Sequence, residues 1–443
     1  MSSERSIRFV STRGGVAPAS IGQALTLGLA ADGGLYVPEV LPRRAADDFA
    51  DCTTLAETAT RLLAPFFAGD ALANDLAAMC AHAFAPPCPL VETRTADTYV
   101  LELFHGPTAA FKDFGARFLA AGLARLRSPS DPVLTILVAT SGDTGAAVAA
   151  AFHRVPGFRV VILYPDGRVS PRQAHQLGCF GENVAALRVA GTFDDCQALV
   201  KRALTDSALQ ARAPMSSANS ISLGRLLPQM AYFAHAALAH HRAHGRSLSF
   251  AVPTGNLGNA LACVLARACG LPIGEIVLAT NANRTLADFF AGSAYAPRAS
   301  IATLANAMDV GAPSNFERLR WLISDDAKLR AALSVEAVDD EEIRAAIRRA
   351  ESTFGVLPCP HTATALVAIE RRRAQGDSQP WAAAATAHPA KFEQVIEPEI
   401  GSVVTPPAAL TLLLARPAFA QPMNVSYDAL VRAVDQSGLS RET

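Results

Sequence analysis

Lys112 stands in an apolar setting, within the run His105-Gly106-Pro107-Thr108-Ala109-Ala110-Phe111-Lys112-Asp113-Phe114-Gly115. The chain holds only four lysines, at 112, 201, 328 and 391, against 35 arginines. Arginine stays protonated and forms no imine, whereas burial can neutralise a lysine amine and let it attack a carbonyl. A lysine retained where arginine serves elsewhere is therefore a candidate for chemistry. The competing reading is an ion pair with neighbouring Asp113 at a helix start. If Thr108 caps the helix whose apolar positions are 111, 114, 118, 119 and 123, Lys112 falls in its first turn. There the helix dipole and apolar burial both lower the pKa of an amine.

Three polar stretches have the composition of anion sites. Ala139-Thr140-Ser141-Gly142-Asp143-Thr144-Gly145 and Pro253-Thr254-Gly255-Asn256-Leu257-Gly258-Asn259 each lie where a strand pattern gives way to a helix pattern. Such a turn converges backbone N–H groups and a helix dipole on one point. Neither loop has the Gly-Lys-Ser/Thr of a Walker A motif or the G-x-G-x-x-G of a dinucleotide fold. Tight turns that use glycine for its conformational freedom give the same pattern. The third stretch, Ser216-Ser217-Ala218-Asn219-Ser220-Ile221-Ser222-Leu223-Gly224-Arg225, sets hydroxyls and an amide ahead of an arginine, a set suited to phosphate or carboxylate. Its alternative is a capped helix N-terminus, with Ser220 or Ser222 as the cap and Arg225 on the surface. Taken together with a buried lysine, the loops suggest a small phosphorylated cofactor.

The elements that must position these residues alternate between strand and helix. Strands are expected at Tyr99–Phe104, Val133–Ala139, Arg159–Tyr164, Val184–Val189, Leu248–Val252, Glu275–Ala279 and Trp381–Ala385, with alanine-rich helices after most of them. That alternation predicts an α/β fold with largely parallel sheet. Before it come strand-like pieces at Ile7–Val10 and Gly34–Val37 and helical patterns around 54–68 and 70–84, closed by Ala85-Pro86-Pro87-Cys88-Pro89. The charged segment Asp339–Glu351 reads as a helix with Ile343, Ala346 and Ile347 on its inner face.

The chain has 443 residues, half of them hydrophobic and 18% charged, enough for more than one core. A net charge of -1 gives no electrostatic case for nucleic acid or an anionic membrane as partner. The eight cysteines include no C-x-x-C pair and read as reduced core thiols, with no metal site among them. No apolar region follows Met1-Ser2-Ser3-Glu4-Arg5, so the expected setting is cytoplasmic.

The motifs around Lys112, Ser141–Gly145, Ser217–Ser220 and Gly255–Asn259 are joined by Ala305-Asn306-Ala307-Met308-Asp309-Val310-Gly311 and Ala387-His388-Pro389-Ala390-Lys391-Phe392. In this order they resemble the threonine synthase family, in its longer fungal and proteobacterial form. Ser11-Thr12-Arg13-Gly14 and Asp32-Gly33-Gly34-Leu35-Tyr36-Val37-Pro38 extend the resemblance to the N-terminal region. It implies a pyridoxal-phosphate enzyme of the tryptophan-synthase-β-like fold, fold type II: two parallel-sheet α/β domains with an N-terminal α+β domain. The implied division is residues 1–90 for the N-terminal domain and 91–443 for the catalytic region. Within the latter, the large domain spans about 91–135 and 240–400, the small domain about 136–239, and a helical tail about 400–443.

The implied reaction converts O-phospho-L-homoserine and water to L-threonine and phosphate, the last step of threonine biosynthesis, by a monomer or homodimer. Lys112 would form the Schiff base, Gly255, Asn256, Leu257, Gly258 and Asn259 would surround the cofactor phosphate, and Thr386 would meet the pyridine nitrogen. Thr140, Ser141, Gly142, Asp143 and Thr144 would hold the substrate carboxylate, and Asn219, Ser220 and Arg225 its phosphate. His105, His361 and His388 are expected in structural roles, and Lys391 outside the chemistry. Leu257 replaces a common phenylalanine of the family, and Arg168 and His175 stand where relatives are expected to carry lysine. A phospholyase or dehydratase on the same fold, or a pyridoxal-phosphate sensor without turnover, are the alternatives.

Overall fold

The computed structural model describes residues 6–436. The opening pentapeptide and the last residues of the expected tail, 437–443, lie outside the described residues. Two sheets dominate. The larger has the spatial order Ser334–Ala337, Ile273–Thr280, Leu248–Pro253, Trp381–Ala385, Thr98–Glu102, Leu90–Glu92. All its pairings are parallel except that of the last two strands. The smaller sheet is wholly parallel, in the order Gln421–Met423, Val184–Val189, Phe158–Pro165, Leu134–Ala139, Met215–Ser217.

Every strand expected from the sequence is present, within a few residues of its predicted ends. The central ones are continuous apolar runs covered on both faces; Leu134–Ala139 and Trp381–Ala385 are buried throughout. The strands that the sequence reading passed over, Leu90–Glu92, Met215–Ser217, Ser334–Ala337 and Gln421–Met423, are the edges of these two sheets among the described residues. An edge strand pairs on one side only and is short, so it needs no such run. Within the expected helical tail, Gln421–Met423 joins the smaller sheet, and the helix Tyr427–Gln436 packs against the helix Phe193–Thr205.

The N-terminal region forms an antiparallel pair, Phe9–Ser11 with Tyr36–Pro38. Its helices Leu55–Phe67 and Leu76–Ala83 pack with the helix Lys112–Leu126 through Phe67, Phe84, Phe114 and Phe118. These residues belong to the same apolar cluster as the inner faces of both sheets, so the proline-rich stretch 85–89 is no break in the core.

Candidate active site

A cavity of about 640 Å³ opens between the two sheets. Its walls come from the carboxyl ends of parallel strands, where ligands of open α/β sheets bind. In the larger sheet, Thr98–Glu102, Trp381–Ala385 and Leu248–Pro253 are neighbours, so the segments that follow them, carrying Lys112, Thr386 and Gly255–Asn259, converge. In the smaller sheet, Leu134–Ala139 and Met215–Ser217 are neighbours and deliver Thr140–Thr144 and Asn219–Arg225 to the opposite wall. The cavity is lined by every residue to which the resemblance assigns a cofactor or substrate contact except Gly142.

Lys112 is the first residue of its helix, and Phe111, not Thr108, occupies the cap position. Thr108 instead donates its hydroxyl to Asp113 Oδ1 at 2.6 Å and its backbone N–H to Oδ2 at 2.9 Å. Asp113 is thereby engaged, which overturns the ion-pair reading of Lys112. Burial pushes the Lys112 amine down to about 8; Asp143 opposes the shift, while Arg225 and Lys391 add to it. Thr386 is held beside it, since its carbonyl accepts the N–H of Phe111 at 2.9 Å.

The Gly255–Asn259 loop enters the helix Gly258–Ala268 through Leu257, whose φ of 63° lies in the left-handed region. That conformation is unfavourable for a leucine and turns the backbone so that the helix N-terminus faces the cavity. The Leu257 side chain itself is buried in the core. A Cβ on Gly255 would lie 2.7 Å from the Cα of Met308, so only glycine fits there. Asn259 accepts from Tyr232 at 2.6 Å through Oδ1, while its Nδ2 is buried and has no partner among the described residues.

Across the cavity, Arg225 is 2% exposed, which overturns its placement on the surface. Ser222 precedes a helix of only four residues, Leu223–Leu226, and makes no side-chain capping bond. Arg225 donates from Nη1 to the Ala218 carbonyl at 2.7 Å; its Nε and the Oδ1 of Asn219 are buried and unpartnered among the described residues. The helix of Lys112 reaches Arg225 through Gly115, where a Cβ would come within 2.8 Å of the Arg225 carbonyl oxygen.

In the 140–144 loop, Thr140 Oγ1 accepts the N–H groups of Gly142 and Gly145 at 3.0 Å each and donates to the Gly142 carbonyl. Thr140 and Gly142 therefore shape the loop and leave the hydroxyls of Ser141 and Thr144 without a partner among the described residues. The backbone N–H and carbonyl of Gly142 are both engaged by Thr140. Asp143 faces Lys391 and Gln173.

Residues 87–389 match the family model described as pyridoxal-phosphate dependent enzyme, and residues 8–84 match that of the threonine synthase N terminus. The threonine synthase of Escherichia coli strain K12 is 37% identical over 413 residues, 93% of this chain and 95% of that protein. The pyridoxal-phosphate-bound threonine synthase of Brucella melitensis superposes with a TM-score of 0.89 at 34% identity, covering 98% of this chain and 100% of that one. The yeast enzyme gives 0.87 at 28% identity, with 97% and 98% covered. The chain belongs to the threonine synthase family.

Members of this family are pyridoxal-phosphate-dependent lyases of fold type II, and the site suits that cofactor. An amine held near neutrality faces a helix N-terminus with an unpartnered amide donor and a glycine that admits close backbone approach. Two residues that brace the walls of the cavity lay beyond the sequence reading. Asn315 Nδ2 donates to the carbonyls of Ser220 and Asn256, joining the two anion loops, which also meet through Asn256 Nδ2 and Ser220 Oγ at 2.7 Å. Arg318, 1% exposed, donates to Asn315 Oδ1 and to the carbonyls of Tyr36 and Ile221. Nothing in the sequence separates this arginine from those on the surface.

The histidines behave structurally. His361 Nε2 accepts the N–H of Ala307, His388 Nδ1 accepts that of Ala390, and His105 pairs with Glu102. Burial pushes both His361 and His388 down to about 4, so they are neutral at physiological pH.

Proposed function

We propose that this chain converts O-phospho-L-homoserine and water to L-threonine and phosphate. One juxtaposition carries the reading: a lysine amine lowered to about 8 shares a cavity with Arg225, a buried guanidinium that has no ion-pair partner among the described residues. The first suits proton transfer at carbon, the second a dianionic group on the substrate.

Bound pyridoxal phosphate supplies an electron sink that lets protons leave the carbons next to the substrate's amino group. Gly255, Asn256, Leu257, Gly258 and Asn259 would hold its phosphate, and Thr386 would meet its ring nitrogen with an uncharged hydroxyl. Ser141, Thr144 and the backbone of their loop orient the substrate carboxylate. Asn219, Ser220 and Arg225 hold the phosphate that leaves from Cγ. The amine of Lys112 takes protons from Cα and then Cβ and returns protons after water has added at Cβ.

The assembly that accompanies this reading is a monomer or a homodimer. The eight cysteines are free and buried, in keeping with a reducing cytoplasm. Among the described residues no helix is long and apolar enough to cross a membrane. Incubation of the pure protein with O-phospho-L-homoserine, with phosphate and amino acids quantified, tests the assignment. Equimolar phosphate and threonine are expected; 2-oxobutanoate without threonine would assign the chain to an eliminating dehydratase instead.

A further inference from the structure

Lys391 has no part in the chemistry described so far, yet it is the most enclosed lysine of the chain. Its side chain is 0% exposed, on the short turn Pro389–Phe392 that follows Thr386. Nζ lies 2.8 Å from Asp143 Oδ1 and donates to the Thr108 carbonyl at 2.7 Å. Asp143 Oδ1 also accepts from Nε2 of the buried Gln173 at 2.9 Å. The ammonium thus joins three segments: the 140–144 loop of the smaller sheet, the turn behind the central strand of the larger sheet, and the chain leading into Lys112.

A buried ion pair contributes little net stability, because desolvation offsets the attraction. Its geometry is the more informative property. The charged or titratable groups acting on Lys112 are Asp143, Arg225 and Lys391, and His361 lies within the same field in its neutral form. Asp143 is the sole carboxylate among them, and burial of its charge is outweighed first by Lys391 and then by Lys112, so it stays ionised. Without Lys391, the strongest remaining positive charge acting on that carboxylate would be the amine of Lys112.

We propose that Lys391 is a positioning residue: by binding Asp143 it fixes the 140–144 loop against the segment carrying Lys112 and keeps Asp143 from claiming the Lys112 nitrogen. The inference rests on the roles assigned above to Lys112 and to that loop. Two single variants of the holoenzyme, Lys391→Met and Asp143→Asn, test it by spectral pH titration of the bound cofactor without substrate and by the pH profile of kcat. In Lys391→Met the freed carboxylate favours a protonated nitrogen on Lys112, so the midpoint of the visible band moves up by about one pH unit or more. The acid limb of kcat follows it, and kcat at neutral pH falls roughly 100-fold. In Asp143→Asn the midpoint moves down.

The double variant Lys391→Met/Asp143→Asn, which carries neither charge, brings the midpoint back toward that of the parent and serves if Lys391→Met alone does not fold. Shifts of the same sign in the two single variants, or a folded Lys391→Met or double variant that contradicts these midpoints, would overturn the proposal. Lys112→Ala in the same assay separates the two levels. Retained threonine formation there removes the reading of Lys112, whereas its loss, with no shift on Lys391→Met, removes only the role of Lys391.

Discussion

At the scale of single residues, Lys112 owes its chemistry to what surrounds it. An exposed lysine titrates near 10.4, and burial brings this one down to about 8. Protonated amine cannot accept a proton, so kcat should fall as pH drops below about 8 and should plateau above it; the pH profile at saturating substrate checks this. Lys112→Ala should lower threonine formation by at least roughly 1,000-fold and abolish the cofactor adduct that borohydride reduction leaves on the wild-type lysine, as read by peptide mass. Arg225→Gln should act on the substrate instead. Loss of a charged hydrogen bond to phosphate predicts a KM roughly 10- to 100-fold higher, with a smaller change in kcat. Lys112 was legible in the sequence from lysine scarcity and its apolar neighbours. Arg225 was legible as an anion ligand from the hydroxyls and amide ahead of it, but its burial was not, because a helix too short to bury its own face is recognisable only when packed under Gly115.

Elements deliver these residues by their sheet neighbours. Loops far apart in sequence meet because the strands before them, such as Leu248–Pro253 and Trp381–Ala385, pair side by side and end at the same rim. Close backbone approach then completes the cofactor loop. Gly255→Ala should force Met308 and its neighbours away, costing about 1–3 kcal/mol of stability and weakening pyridoxal phosphate binding tenfold or more, by unfolding and cofactor titration. The central strands could be read from their apolar runs. The edge strands could not, since Met215–Ser217 and Gln421–Met423 acquire their conformation from the partner they pair with.

Over the whole molecule, the N-terminal region, the two anion loops and the helix Phe316–Leu322 are tied by one buried hub. Arg318 is held by two carbonyls and the Asn315 amide oxygen, and burial pushes it down to about 9. Arg318→Met should strand these acceptors and cost about 3 kcal/mol in urea unfolding, with weaker phosphate binding at both loops. The sequence by itself determined the alternating α/β pattern, the reactive lysine and the three anion-binding stretches, because each is written in local composition and spacing. Only the tertiary structure decided which groups those stretches actually present. Thr108, Thr140 and Asp143 are engaged by other residues, Arg225 is turned inward, and Lys391 is drawn in from far along the chain. Hydrogen bonds and ion pairs of that kind depend on which segments the fold makes neighbours, and no local pattern encodes them.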